Sequence, residues 1–162
     1  MKFSNVQVGS SSSARLVTLT NVSAVSMPFT SSTITGNNAN NFVRVNHCVS
    51  PLVAGASCTI DITFTPSATG NRTSSLNVVM GGMTLSIPLS GTGVPPSSSV
   101  LPSPVVFANQ QTGTTSASQT IVLSNTGIGP LSFASATLNG GNVNNFAILS
   151  NACPPVLQVG EN

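Results

Sequence analysis

The feature that most constrains this chain is a self-match at a fixed offset. Phe3-Ser4-Asn5 returns as Phe107-Ala108-Asn109, and Val17-Thr18-Leu19-Thr20-Asn21 returns as Ile121-Val122-Leu123-Ser124-Asn125. Val8-Gly9 returns as Thr112-Gly113, Ile34-Thr35-Gly36 as Leu138-Asn139-Gly140, and Asn40-Asn41-Phe42 as Asn144-Asn145-Phe146. Each pair lies 104 residues apart, as Asn21 does from Asn125. A slip of one residue then aligns Cys48 with Cys153, Leu52 with Leu157 and Gly55 with Gly160. A fixed period describes one structural unit used more than once, and whatever the first copy folds into, the second begins to fold into as well.

The clearest local pattern in the first copy has period two. Cys58, Ile60, Ile62 and Phe64 alternate with Thr59, Asp61, Thr63 and Thr65. Successive side chains of a strand point to opposite faces, so the first set is expected in a core and the second toward water. Leu76, Val78 and Met80 alternate in the same way, as do Met83, Leu85, Ile87 and Leu89. Gly81-Gly82 between these two runs predicts a two-residue hairpin, because such turns demand the positive φ that glycine tolerates. Pro88 has no amide donor, so its strand is expected at an edge or with that nitrogen facing outward. Earlier strands are predicted over 16–21, 27–34 and 42–45, with a turn over 65–70. No segment keeps a 3.6-residue apolar period, so the expected fold class is all-β with almost no helix. About seven short strands punctuated by turn residues make a β-sandwich.

The copies have unequal extents. The first repeat is read as residues 1–93, with its first strand largely missing because only Met1-Lys2 precedes Phe3. Residues 94–104, beginning Val94-Pro95-Pro96-Ser97-Ser98-Ser99, read as a semi-stiff Pro/Ser linker. Residues 105–162 read as the N-terminal part of a second, truncated repeat. Both ends then fall inside repeats, as they would in a window cut from a longer array. Met1 to Asn5 shows no apolar stretch of the kind a signal peptide carries.

Composition narrows the functions. Charged residues are 4% of the chain, against a typical ~25%. The four cations (Lys2, Arg15, Arg44, Arg72) are scattered, and neither Trp nor Tyr is present to stack on a base. Nucleic acid is therefore not an expected partner. No run approaches the ~18 apolar residues of a membrane span. A surface of Ser, Thr and Asn carries little that titrates, which suits an extracellular spacer.

The chemistry-bearing residues are few. His47 is the only histidine, and Asp61 and Glu161 are the only acids. A Ser-His-Asp site needs all three groups in contact, whereas Asp61 is expected to point outward from its strand and His47 to sit in a loop beside Cys48. A carboxylate pair needs two acids about 5–10 Å apart, and these two belong to different copies. Calcium wants clustered oxygens, and zinc a second ligand pair; neither is visible. No catalytic, cofactor or metal residue is assigned, and the chain is read as no enzyme. Asn21-Val22-Ser23 and Asn71-Arg72-Thr73 match the N-glycosylation pattern, as is expected by chance in a chain so rich in Asn, Ser and Thr.

Phe-x-Asn-x-x-x-Gly, followed by an apolar strand ending in Asn, resembles the start of bacterial choice-of-anchor-D-type repeats. These are relatives of the abnormal-spindle/Hydin (ASH) immunoglobulin-like domains. Cys48, Leu52-Val53-Ala54-Gly55-Ala56-Ser57-Cys58, Thr63-Phe64-Thr65-Pro66, Gly70 and Leu89-Ser90-Gly91-Thr92-Gly93 are similar to that family's later signature. The resemblance implies immunoglobulin-like sandwiches in tandem, on large secreted or surface-anchored bacterial proteins, with neighbouring repeats as partners and no catalytic residues. The cysteines and the Ser/Thr richness look more like the bacterial, exported branch than its intracellular relatives.

Cys48 and Cys58 stand ten apart around a loop that leads into a strand. They form a disulfide or a pair of buried thiols; a disulfide would contribute roughly 2–3 kcal/mol through chain entropy and imply an oxidising compartment. Cys153 aligns with Cys48 but has no aligned partner, so it is expected as a free thiol. The function that follows is a non-catalytic structural spacer of a secreted or cell-surface repeat protein. The alternatives are an adhesive or protein-binding module, or a subunit that assembles by completing the truncated repeat with strands from another copy.

Overall fold

The computed structural model describes all 162 residues, and its regular elements are strands joined by turns. In the first unit the strands are β1 (Lys2–Gln7), β2 (Arg15–Thr20), β3 (Phe29–Thr35), β4 (Phe42–Asn46), β5 (Ser57–Phe64), β6 (Gly70–Met80) and β7 (Met83–Val94). They lie in two sheets, ordered β1-β7-β6-β3 and β2-β5-β4. The only helical pieces in the chain are two single 3-10 turns, Ala39–Asn41 and Val143–Asn145. The chain is all-β, with the immunoglobulin-like arrangement of seven strands in two sheets.

The period-two pattern of β5 sets the core. Ile60, Ile62 and Phe64 are fully buried, with Cys58 half-buried beside them, while Thr59, Asp61 and Thr63 face outward. Leu76, Val78 and Met80 of β6 and Leu89 of β7 pack from the facing sheet. Phe3, Phe42 and Phe64 form a triangle of rings with centroids 5.9, 5.7 and 5.0 Å apart. With neither Trp nor Tyr available, these three rings supply most of the large planar surface at the core centre.

The β6–β7 hairpin turns as its glycines require. Gly81 and Gly82 have φ of 59° and 78°, and Met80 pairs with Met83 across them. The expected alternation of β7 holds only in part, however. Leu89 is buried, but Leu85 and Met83 are exposed. Face alone does not explain the difference, since Leu85 is opposite the fully buried Val78 and shares its face. β1 runs parallel to β7 only from Ser90 onward, so the Met83–Ile87 half of β7 has β6 on one side and nothing on the other.

Pro88 sits where that flank opens. Ser90 donates its amide to the Met1 carbonyl, and the Met1 amino group donates to the Pro88 carbonyl. Alternate residues of a strand turn their amide groups to the same side, so the nitrogen of Pro88 faces away from β6 and no ladder bond is lost. β1 is a six-residue strand that begins at Lys2. It carries Phe3 and Val6 into the core.

The chain divides into two compact units, Met1–Pro95 and Pro96–Asn162. The second holds β8 (Ser98–Leu101) and β9 (Val122–Asn125), paired antiparallel, and β10 (Leu131–Ser132) and β11 (Val156–Leu157), also antiparallel. β8 comes from the Pro/Ser-rich segment 94–104, whose Ser98–Leu101 is a paired strand and not open chain. Asn125 and Leu157 are buried there, while Phe107, Phe146, Ile148 and Leu149 are exposed.

Candidate functional site

The side chain that organises one corner of the first unit is Asn21. It follows β2, is fully buried, and uses both ends of its amide. Its Nδ2 donates to the carbonyls of Val25 and Leu52, both at 2.8 Å. Its Oδ1 accepts from the amide and the hydroxyl of Ser23 at 3.0 and 2.7 Å. One side chain thus ties the end of β2 to the loop that carries Leu52. A buried amide satisfied on this scale specifies a single arrangement, because each unmade bond would leave a desolvated group behind. Asn21 also heads a glycosylation sequon, and its burial removes it from any modifying enzyme of the folded state.

The loop it holds is closed by the disulfide. Cys48 and Cys58 are bonded, with their α-carbons 5.0 Å apart. The reason is register: Asn46 lies opposite Ile60 in the β4–β5 pair, and the His47 amide donates to Thr59 at 3.0 Å, which carries the ladder on to Cys48 opposite Cys58. Inside the closed loop, buried Leu52 exchanges backbone hydrogen bonds with Met27 at 2.9 and 2.8 Å. The loop is therefore held at three places, by the disulfide, the Asn21 amide and the Met27 bridge.

The outer face of the three-stranded sheet is the first unit's mixed surface. Leu16, Asp61 and Val45 form one cross-strand row, with Val43 and Thr63 beside it. Leu16, Val43 and Val45 are exposed. His47 brings Nε2 to 3.2 Å from Oδ2 of Asp61. Sequence reading placed Asp61 outward and His47 in a loop beside Cys48, without bringing them together. The signal was available in the strand register, because a residue opposite Thr59 lies diagonally beside Asp61. No group of three His, Cys, Asp or Glu residues gathers anywhere in the chain, so the pair ends as a surface contact.

The edges of this sheet carry a second device. Arg15 of β2 and Arg44 of β4 both lie opposite Ile62, one on each flank. Their register puts them on the core-facing side of the edge strands, and Arg15 reaches round to the Lys2 carbonyl. A charge on the inner face of an edge strand opposes pairing with another sheet, since docking would bury it. Pro88 performs the same service on the open half of β7.

Gly91 and Gly93 serve packing. A β-carbon on Gly91 would stand 2.5 Å from the Phe64 ring, and one on Gly93 would stand 2.2 Å from the Ala68 carbonyl oxygen. The Leu89-Ser90-Gly91-Thr92-Gly93 run is thus a strand thinned where the aromatic core and the 65–70 turn press against it.

In the second unit Cys153 is unpaired and half-exposed. Its amide donates to Oδ1 of Asn151 at 3.1 Å, as that of Cys48 does to Oδ1 of Asn46 at 3.3 Å. Asn125 repeats three of the four Asn21 bonds: Nδ2 donates to Gly129 and Leu157 at 2.9 and 3.0 Å, and Oδ1 accepts from the Gly127 amide at 2.9 Å. The repeat thus builds one Asn-centred corner twice.

Compared with curated proteins, the chain finds no match. The family model described as abnormal spindle-like microcephaly-associated, ASPM-SPD-2-Hydin (ASH) matches residues 1–85, just over half of the chain. That span takes in β1 to β6, the aromatic triangle, the Asn21 corner and the stapled loop, and on this match the chain belongs to the ASH family of immunoglobulin-like domains.

Proposed function

We propose that the chain is a non-catalytic structural module, a spacer within a larger secreted or cell-surface repeat protein. The observation that carries this reading is the triply held loop at Cys48–Cys58. A disulfide persists in oxidising compartments, and this one pins a loop that the Asn21 amide and Met27 also hold. The inward-facing Arg15 and Arg44 and the outward nitrogen of Pro88 keep neighbouring sandwiches from merging edge to edge. The uncharged Ser/Thr/Asn surface adds solubility that does not depend on pH. The reading implies neighbouring repeats of the same array as partners, and no cofactor.

Single-molecule stretching tests both halves of this reading. The disulfide withholds the ten-residue separation between Cys48 and Cys58 from extension. At up to ~3.6 Å per residue, reduction should lengthen the unfolded chain by roughly 35 Å. A spacer gives a force-resistant unit whose extension grows by that amount with reductant. An unchanged extension would mean reduced thiols in the working protein, and the exported reading would fall. Glycan-array binding or tight capture of one defined protein through the sandwich loops would replace the spacer with an adhesive role.

A further inference from the structure

Three of the chain's four methionines lie at one turn inside the first unit. Met80 and Met83 flank Gly81-Gly82 and are directly opposite each other, so their side chains leave the same face of the hairpin. Met27 reaches that turn from the chain between β2 and β3. A β-carbon on Gly81 would lie 2.2 Å from Met27 Cε and 3.7 Å from its Sδ, so the thioether end of Met27 rests against the bare glycine.

The three residues are placed by separate backbone bonds. Met27 is bridged to buried Leu52, where the chain crosses from one sheet to the other. The Gly81 amide donates to the carbonyl of Pro28, the next residue, at 2.9 Å. Met80 belongs to the core at 6% exposure, and Met27 is half-buried. Leucine would fill the same space; what methionine adds is a polarizable sulfur on a flexible arm.

We propose that Met27, Met80 and Met83 form a site for one soft monovalent cation of the copper(I) class, held by three thioether sulfurs. Thioethers are soft donors, which select copper(I) over hard ions such as calcium and magnesium. Charge points the same way. The first unit's only acid, Asp61, faces outward from the other sheet, so no anion at the turn offsets a second positive charge. Directly opposite residues start about 4.5–5.5 Å apart at Cβ, and each sulfur lies two bonds further out. Met80 and Met83 can therefore converge on one ion by rotamer changes alone, with Met27 Sδ beside the glycine between them. The ion pins the β6–β7 turn to the crossing between the sheets, as a ligand of the module and not as the cofactor of a reaction.

Silver(I) is the probe, because it is a redox-inert monovalent cation of the same softness. The intact chain carries Cys153→Ser, since a free thiol would take silver ahead of any thioether. Its methionine methyl groups are labelled with carbon-13, and silver nitrate is added in chloride-free buffer while the four methyl resonances are followed. Those of Met27, Met80 and Met83 should move together and stop at one silver per chain, with Met1 unmoved at that point. Met27→Leu and Met83→Leu should each weaken binding roughly tenfold or more and leave the amide spectrum of the first unit in place, because leucine conserves the volume. Movement of fewer than three of these methyls would overturn the proposal, as would a Met1 shift at the same or lower silver concentration. Undiminished affinity in the leucine variants, or silver held at His47 instead, would overturn it too.

Discussion

Thr18–Asn21 and Val122–Asn125 are equivalent stretches in the two units, and they end differently. In the first unit Thr18–Thr20 end a six-residue strand seated against β5 and Asn21 follows it; in the second the stretch is a four-residue strand paired with β8. The stretch corresponding to β3 is regular only in its neighbour, the two-residue β10, and the stretches corresponding to β1 and β4 are not strands at all. Phe3 and Phe42 are 3% and 4% exposed, whereas Phe107 and Phe146 are 37% and 53% exposed. Yet the Asn corner, the 3-10 turn and the angle between paired rings are the same in both. Side-chain contacts whose partners are present in both units recur in both. Strands do not, because their hydrogen bonds and buried faces belong to the neighbour.

The comparison can be broken most forcefully at the third ring. Phe64→Ala should destabilise the first unit by about 3–5 kcal/mol, the range for a large aromatic core truncation. Phe146→Ala should change the second unit by less than about 1 kcal/mol, since its ring is already half in water. Urea titration followed by NMR, with resonances from each unit read separately, checks both. Equal losses would mean that the second unit has a closed core.

Reducing the Cys48–Cys58 bond comes next. Loss of the closed loop should cost the first unit roughly 2–3 kcal/mol and leave the second unchanged. Thermal unfolding with and without reductant measures it. Asn21→Ala should cost roughly 1–3 kcal/mol, because the buried corner loses the Nδ2 bonds to Val25 and Leu52 and the Ser23 amide loses its acceptor. Asn125→Ala should abolish hydrogen-exchange protection at the Gly127 amide, which donates to the Asn125 side chain, while leaving the first unit intact.

Gly91→Ala sharpens the picture of the core from the other side. The added methyl would meet the Phe64 ring, so a loss of about 1–3 kcal/mol is expected from overpacking. A crystal structure of the variant should show the ring displaced. The smallest effect on stability is expected for Arg44→Val, within ~0.5 kcal/mol. Its consequence should be association: light scattering should detect sheet-edge oligomers that the native chain does not form.

Much of this was legible in the residues. The 104-residue offset, the alternation of Cys58 to Phe64 and the Gly81-Gly82 turn specify an all-β chain with β5 at its centre. The strands read at 16–21, 27–34 and 42–45 match β2, β3 and β4 to within one or two residues. The exposure of Met83 and Leu85 was not legible, because a period-two pattern says which face a residue shares but not whether a neighbouring strand covers it. The meeting of His47 with Asp61 was hidden for a similar reason: the contact exists only once β4 and β5 are in register.

What the sequence determined by itself is local and periodic: which side chains share a face, where glycine must turn the chain, and where an asparagine will organise a corner. Only the tertiary structure decided that Cys48 meets Cys58 and that Arg15 and Arg44 stand on opposite flanks of one row. Those outcomes depend on which strand lies beside which, and that choice is made by burial across the whole sandwich and not by any one segment.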